Sequence, residues 1–164
     1  MYDEEFSLLM KAKPFVLEQH KALIAFLYLT GVRISEALAM TRKQFKRTPT
    51  LLYVDIGKRL KGSKITPALP LSLKAPYIHN IILTYELLDR EALVFPYSRK
   101  TGYNIATRFI TYPHYFRMNR ITRFFLDQFT IPEVKSWTGL SLTALNYYIG
   151  KANLEKMGKS LSER

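Results

Sequence analysis

Cysteine is absent from the 164 residues, and histidine is scarce. The lack of cysteine excludes thiol catalysis, disulfide frameworks and zinc sites built on thiolates, and it is compatible with a reducing cytoplasm. Three histidines leave little material for a metal site built on imidazole groups. They are His20, His79 and His114.

Long apolar runs are also missing. No stretch reaches the roughly 18 apolar residues that a membrane-spanning helix needs. The first five residues, Met-Tyr-Asp-Glu-Glu, are acidic where a signal or transit peptide would be basic. We therefore expect a cytoplasmic protein with no membrane partner.

Acidic residues are few, with 13 Asp and Glu against 25 Lys and Arg. The resulting formal charge of +12 indicates a polyanionic partner, in the first place nucleic acid. The chain is otherwise ordinary, with 48% apolar residues, and its length suffices for one domain with a core of its own.

Hydrophobic spacing predicts a mainly α domain with one small antiparallel sheet. Two strands, over 50–56 and 65–71, flank a basic glycine-containing tip and form a hairpin. Pro67 and Pro70 indicate that the second strand lies at a sheet edge or that they mark a strand end. The predicted helices cover 4–12, 17–30, 34–42, 77–89, 102–111, 115–129, 131–138 and 142–149.

Basic residues concentrate around this hairpin, with Asp55 as the single acid among them. A solvated surface accounts for many charge runs, but a hairpin with a basic tip can follow the phosphates of a nucleic acid. We therefore predict DNA contact by Arg42, Lys43, Lys46, Arg47, Lys58, Arg59 and Lys64.

Three motifs carry the chemistry. In the first, Thr30–Glu36 (TGVRISE), Gly31 ends one helix, Arg33 leads the next and Glu36 lies one turn later. An arginine there can bind phosphate oxygens through two donors while a carboxylate orients it. Taken alone, the two residues are better explained as an ordinary helix ion pair.

The second motif is His114-Tyr115-Phe116-Arg117, and the third covers residues 136–148. Histidine and arginine three apart on a helix project to one side, which suits proton transfer next to an anion. The third motif is a turn that leads into a short helix with two tyrosines. Each of these motifs alone is common by chance.

Taken in order, the three motifs resemble the catalytic domain of the tyrosine recombinases, the phage integrase family. The first motif is the most specific match, and the resemblance covers about residues 4–150. It implies one catalytic domain over 1–164 without the N-terminal arm that closes around DNA. It also implies that residues 150–164 could be the helix that members pass to a neighbouring protomer.

The resemblance implies DNA strand cleavage and rejoining without a metal or another cofactor. A tyrosine hydroxyl attacks a DNA phosphate, forms a 3′-phosphotyrosyl bond and frees a 5′-hydroxyl. Arg33 and Arg117 would neutralise the charge of the transition state. His114 would assist proton transfer or hold the phosphate, and Glu36 would orient its neighbours.

The family also carries a catalytic lysine on the hairpin, which would protonate the departing 5′-oxygen. Lys61 is the first choice for this role, Lys58 the second and Lys64 the third. An ammonium group can give up a proton for this purpose, as a guanidinium cannot.

The third motif departs from the family pattern. The usual Leu-Gly-His is replaced by Thr138-Gly139-Leu140, so leucine stands in place of histidine unless Trp137 supplies an indole donor. The spacing favours Tyr148 as nucleophile, with Tyr147 as the alternative. These departures point to an element of archaeal virus or plasmid type.

The expected partner is double-stranded DNA, on which copies of the chain would assemble as a tetramer, with a monomer in isolation. The function implied is that of a site-specific recombinase or integrase. Two alternatives stay open: a relative that binds DNA without turnover, and an activity like that of type IB topoisomerases.

Overall fold

The structure, a computed structural model, describes residues 1–13, 16–57, 68–110, 112 and 114–163. Within these ranges the chain forms helices and one three-stranded sheet. In chain order the elements are α1 (Asp3–Lys11), α2 (Glu18–Thr30), α3 (Ile34–Leu38), a 3₁₀ turn (Arg42–Gln44), β1 (Phe45–Arg47), β2 (Leu51–Val54), β3 (Leu69–Ser72), α4 (Ile78–Tyr85), α5 (Arg99–Thr107), α6 (His114–Leu126), α7 (Ile131–Thr138) and α8 (Leu142–Ser162). The predicted mainly α class with a small antiparallel sheet is confirmed.

Helix α2 forms the centre of the core. Every residue from Ala22 to Thr30 is buried, because this stretch is apolar on all of its faces. Helices α4 and α6 both pack against α2. The end of α2 is therefore fixed in the interior, and the loop that follows it starts from a rigid point.

The sheet has the order β1-β2-β3, with antiparallel pairing throughout. Leu52 lies opposite Leu71, and Val54 lies opposite Leu69, so their side chains share the buried face. Strand β3 pairs only with β2 among the described strands, as its Pro70 predicts for an edge strand. Strand β1 was not predicted, because three residues within a basic stretch carry too little alternation to be recognised.

Helix α3 is shorter than its prediction over 34–42, which was wrong at its end. The helix stops at Leu38, because the backbone that follows pairs with another segment. The carbonyl of Met40 accepts a hydrogen bond from the N–H of Val94 (3.0 Å), and Thr41 forms a β-bridge with Leu93. These long-range bonds replace the helical ones.

Helix α8 is longer than its prediction over 142–149 and continues to Ser162. Its first half is anchored by buried residues, the last of which is Ala152. The second half is held by Tyr2, whose phenol donates a hydrogen bond to the carboxylate of Glu155. The ammonium nitrogen of Lys159 lies 4.1 Å from the centre of the Tyr2 ring. Gly150, with no neighbouring atom within 4 Å of an added Cβ, does not interrupt the helix.

Candidate active site

A cavity of about 280 Å³ opens where α3, α5 and α6 meet, and we call it the arginine cavity. Three arginines and one histidine line it, and no carboxylate does among the described residues. Its lining consists of Val32, Arg33, Ile34, Ser35, Arg99, Tyr103, Tyr112, His114 and Arg117. The first two motifs, which lie more than 75 residues apart in the chain, therefore meet at one site.

Arg33 is the residue that precedes α3, and Glu36 fixes its position. One carboxylate oxygen of Glu36 accepts the backbone N–H of Arg33 (2.8 Å), and the other accepts its Nη1 (3.1 Å). The Glu36 side chain is buried, whereas that of Arg33 is 35% exposed. A buried carboxylate thus orients a guanidinium that still reaches solvent and the cavity.

Arg117 is almost completely buried, with 2% of its surface exposed. Its Nη1 donates to the carbonyl of Gly31 (2.9 Å), and its Nη2 donates to the carbonyl of Thr138 (3.3 Å). These two carbonyls belong to the ends of α2 and α7. Arg117 therefore links the first and third motifs, and its buried charge is compensated by oriented backbone dipoles.

Gly31 allows α6 to approach the end of α2 closely. It ends α2 in the left-handed region with φ of 66°, a conformation that disfavours side chains. A Cβ at Gly31 would lie 2.9 Å from the Cβ of Arg120, so α6 approaches the turn closely because no side chain intervenes. The predicted helix end at Gly31 is confirmed.

His114 is the first residue of α6, and its side chain is exposed at the cavity. Partial burial lowers its pKa below the ordinary 6.5, and the positive charges of Arg117 and Arg33 lower it further. The neutral imidazole therefore predominates at pH 7. In that form one ring nitrogen can accept a proton.

The two tyrosines of the third motif face different surroundings. Tyr148 lies on the packed side of α8 with 9% exposure, whereas Tyr147 is 58% exposed. Burial raises the pKa of Tyr148, the charge of Arg117 lowers it, and Tyr147 and Tyr112 raise it. The phenol of Tyr148 is thus within electrostatic reach of the arginine cavity, although Tyr148 does not line it.

Trp137 packs in an aromatic cluster. Its ring centre lies 5.4 Å from that of Phe124 and 5.1 Å from that of Phe129. Both phenylalanines line a second cavity, whereas Trp137 is not among the residues that line the arginine cavity. Leu140 is half-buried after the end of α7, and its N–H donates to the Thr138 hydroxyl.

The residues predicted to contact DNA have unequal surroundings. Lys46 and Arg47 are exposed on β1, and their side chains make no hydrogen bond or ion pair with the described residues. Lys43 forms an ion pair with Glu91 at 2.7 Å. The guanidinium of Arg42 lies 4.8 Å from the ring centre of Tyr85. Outside the described residues lie Lys58, Arg59, Lys61 and Lys64.

Sequence reasoning missed three residues of the cavity: Arg99, Tyr103 and Tyr112. The first two belong to α5, which packs against α3 through Gly102. A Cβ at Gly102 would lie 2.9 Å from Leu38 Cδ1. A glycine inside a helix signals such close packing, and this signal could have pointed to α5.

Two further properties concern the described part of the chain alone. None of its helices combines the length and the apolar character that a membrane crossing requires. It also contains no group of three or more His, Asp or Glu side chains arranged to hold a metal ion.

No protein-family model matches the chain, and no curated protein matches it. Solved structures do. A pre-cleavage complex of the XerH site-specific recombinase bound to difH substrate aligns with a TM-score of 0.71 and 20% identity, over 88% of this chain and 47% of that one. A post-cleavage complex with palindromic difH substrate aligns with a TM-score of 0.70 and 19% identity, over 98% and 51%. This chain thus spans about half the length of those recombinases. It has the tyrosine recombinase fold.

Proposed function

We propose that the protein is a site-specific DNA recombinase that cleaves and rejoins DNA through a 3′-phosphotyrosyl intermediate. One observation carries the proposal: Arg33, His114 and Arg117 line one cavity, and Tyr148 lies within electrostatic reach of Arg117. The fold supports it, and so does the net charge of +12, which suits a DNA partner.

The phosphate would bind between the two guanidinium groups. Arg33 and Arg117 are held in place by Glu36 and by two backbone carbonyls before any substrate arrives. Fixed donors stabilise the negative charge that develops on the nonbridging oxygens without reorganising during the reaction. Because Arg117 is buried, its interaction with this charge is less screened than one in water.

The nucleophile would be Tyr148. Its oxygen forms a bond to phosphorus while the bond from phosphorus to the 5′-oxygen breaks. The phenol must lose its proton, and burial raises its pKa, so a nearby acceptor is needed. Neutral His114 is suited to assist this transfer. A hairpin lysine, with Lys61 first, would protonate the 5′-oxygen.

Rejoining is the reverse reaction, in which a 5′-hydroxyl attacks the phosphotyrosyl bond. Exchange between two DNA sites requires more than one copy of the protein, and we propose a tetramer on DNA. The second half of α8 supports this, because it presents Leu154, Met157 and Leu161 to solvent. Such an exposed apolar stripe is typical of a surface that docks onto another chain.

A nicked DNA substrate that loses a short 5′-hydroxyl strand after cleavage tests the proposal. We expect a covalent protein–DNA adduct that survives a denaturing gel. Tyr148→Phe should abolish the adduct, since it removes the attacking oxygen. Tyr147→Phe is the matched control, because its ring is exposed beside Lys151, and it should leave the adduct in place.

Three outcomes would contradict parts of the proposal. No adduct from the unchanged protein would contradict cleavage, and an adduct retained by Tyr148→Phe would contradict the nucleophile. Relaxation of a supercoiled plasmid without strand exchange would favour the topoisomerase activity.

A second candidate function is DNA binding without turnover. The burial of Tyr148 favours it, as does the leucine at position 140 where the family has histidine. DNA binding that weakens steeply with salt, together with no adduct, would establish it.

A further inference from the structure

The arginine cavity contains a third guanidinium that none of the three motifs includes. Arg99 is the first residue of α5 and lines the cavity together with Arg33 and Arg117. Those two arginines donate to protein oxygens. The guanidinium of Arg99 makes no hydrogen bond and no ion pair with any described residue.

The position of Arg99 is set by the packing of α5. Gly102 brings α5 so close to α3 that an added Cβ would lie 2.9 Å from Leu38 Cδ1 and 3.4 Å from Ile34 Cδ1. Ser98 fixes the start of the helix by accepting the N–H of Thr101 (3.1 Å). Arg99 is therefore held at the mouth of the cavity.

An aromatic side chain lies beside this arginine. Tyr103, one turn after Arg99 on the same helix, also lines the cavity and is 48% exposed. A solvent-exposed ring next to a cation offers a flat apolar surface to a sugar or a base, while the cation binds a phosphate. Together the two residues fit a nucleotide unit better than an isolated inorganic anion.

We propose that Arg99 binds a second phosphate of the DNA strand, adjacent to the phosphate held by Arg33 and Arg117, with Tyr103 against the nucleoside that joins them. The guanidinium presents donors in a fork that matches phosphate oxygens. No carboxylate of the described chain lines the cavity to neutralise it. Arg99 is a positioning residue, since it does not touch the reacting phosphorus. The inference rests on the proposed DNA substrate.

The test combines a protein variant with a single neutral phosphate in the DNA. Arg99→Gln is compared with Lys100→Gln, which makes the same change of charge at the next residue, exposed and outside the cavity lining. A methylphosphonate replaces the phosphate on either side of the cleavage position, one at a time. Dissociation constants are measured over a series of salt concentrations with both DNAs.

We expect Arg99→Gln to weaken binding about tenfold and to reduce the slope of log K against log salt by about 1. Arg99→Lys should restore the slope, because it keeps the charge. The methylphosphonate at one adjacent position should weaken binding by the unchanged protein and by Lys100→Gln. The same methylphosphonate should have little further effect on binding by Arg99→Gln, because this variant already lacks the guanidinium that contacts that phosphate.

The inference would be overturned if the effects of the methylphosphonate and of Arg99→Gln on the dissociation constant were additive at both adjacent positions. It would also be overturned if Arg99→Gln and Lys100→Gln weakened binding equally, because the general positive charge of the surface would then explain both losses. A failure of the proposed function gives a different result from a failure of this inference. If the unchanged protein binds DNA but forms no adduct, cleavage is refuted while the binding measurements still decide the role of Arg99. If the unchanged protein binds no DNA, both proposals are refuted.

Discussion

Helix α6 carries arginines into two different regions of the molecule. Arg117 faces the arginine cavity, where it meets backbone carbonyls and other cations. Arg120 and Arg123 face the second cavity, of about 320 Å³, where Asp3 and Asp127 also lie. Residues of one type, three apart on one helix, thus enter opposite electrostatic environments.

In the second region the arginines are used for packing. The guanidinium of Arg120 lies 4.9 Å from the ring centre of Tyr28, and its Nε donates to the carbonyl of Tyr28 (2.8 Å). That of Arg123 lies 4.4 Å from the ring centre of Tyr2. Aromatic faces and nearby carboxylates stabilise these cations within the protein. In the arginine cavity three guanidinium groups are gathered and no carboxylate of the described residues lines the wall, so an external anion is the group that fits it.

The largest expected effect on the rate of adduct formation comes from replacing one arginine of each region by lysine. Arg117→Lys loses the two-pronged contact to Gly31 and Thr138, so the rate of adduct formation should fall by about 10²–10³-fold. Arg120→Lys should leave that rate nearly unchanged and lower the thermal midpoint instead. Single-turnover adduct assays and thermal melts measure both. Equal rate losses in the two variants would refute the conclusion that the arginines of the two regions have different roles.

A smaller effect is expected at the glycine between the two regions. Gly31→Ala strains the backbone and also places a Cβ against Arg120. Gly57→Ala strains the backbone at a similar φ of 67°, but its added Cβ would have only one neighbouring atom, 4.0 Å away. Gly57→Ala should cost about 1–2 kcal/mol of unfolding free energy. Gly31→Ala should cost a further 1–3 kcal/mol or so, from overpacking. Urea unfolding measures the difference, and equal costs would show that the close approach of α6 contributes nothing.

The smallest effect concerns pH. Because the pKa of His114 is lowered below 6.5 by burial and by the two cations, the imidazole is neutral above that pKa and protonated below it. The rate of adduct formation should therefore rise with pH through a midpoint below 6.5 and then level off. His114→Gln should remove this step, whereas His79→Gln, on the exposed surface of α4, should retain it. A step that persists in His114→Gln would assign the titration to another group.

Much of the architecture could be predicted from local signals. Helix α7 begins after Thr130, whose hydroxyl accepts the N–H of Glu133, and it ends at Gly139 in the left-handed region. The prediction over 131–138 is confirmed, because both of these signals lie within a few residues of the helix. The end of α2 at Gly31 was predictable for the same reason.

The errors occurred where distant segments decide the structure. Helix α3 ends early because Met40 and Thr41 pair with residues more than 50 positions later. Helix α8 continues beyond Gly150 because Tyr2 contacts Glu155 and Lys159. Nothing near these residues in the sequence reports such partners. The contribution of α5 to the cavity was also missed, although Gly102 inside that helix is a local sign of close packing.

The sequence by itself determined most of the elements, the excess of positive charge and the identity of the motif residues, because caps, periodicity and composition act over short distances. Only the tertiary structure decided which groups surround each cation. Arg117, Arg120 and Arg123 look alike in the chain, and their roles differ because the core places carbonyls and cations around one, and aromatic rings and carboxylates around the others. The electrostatic environment of a side chain is a property of the folded neighbourhood, and no local pattern contains it.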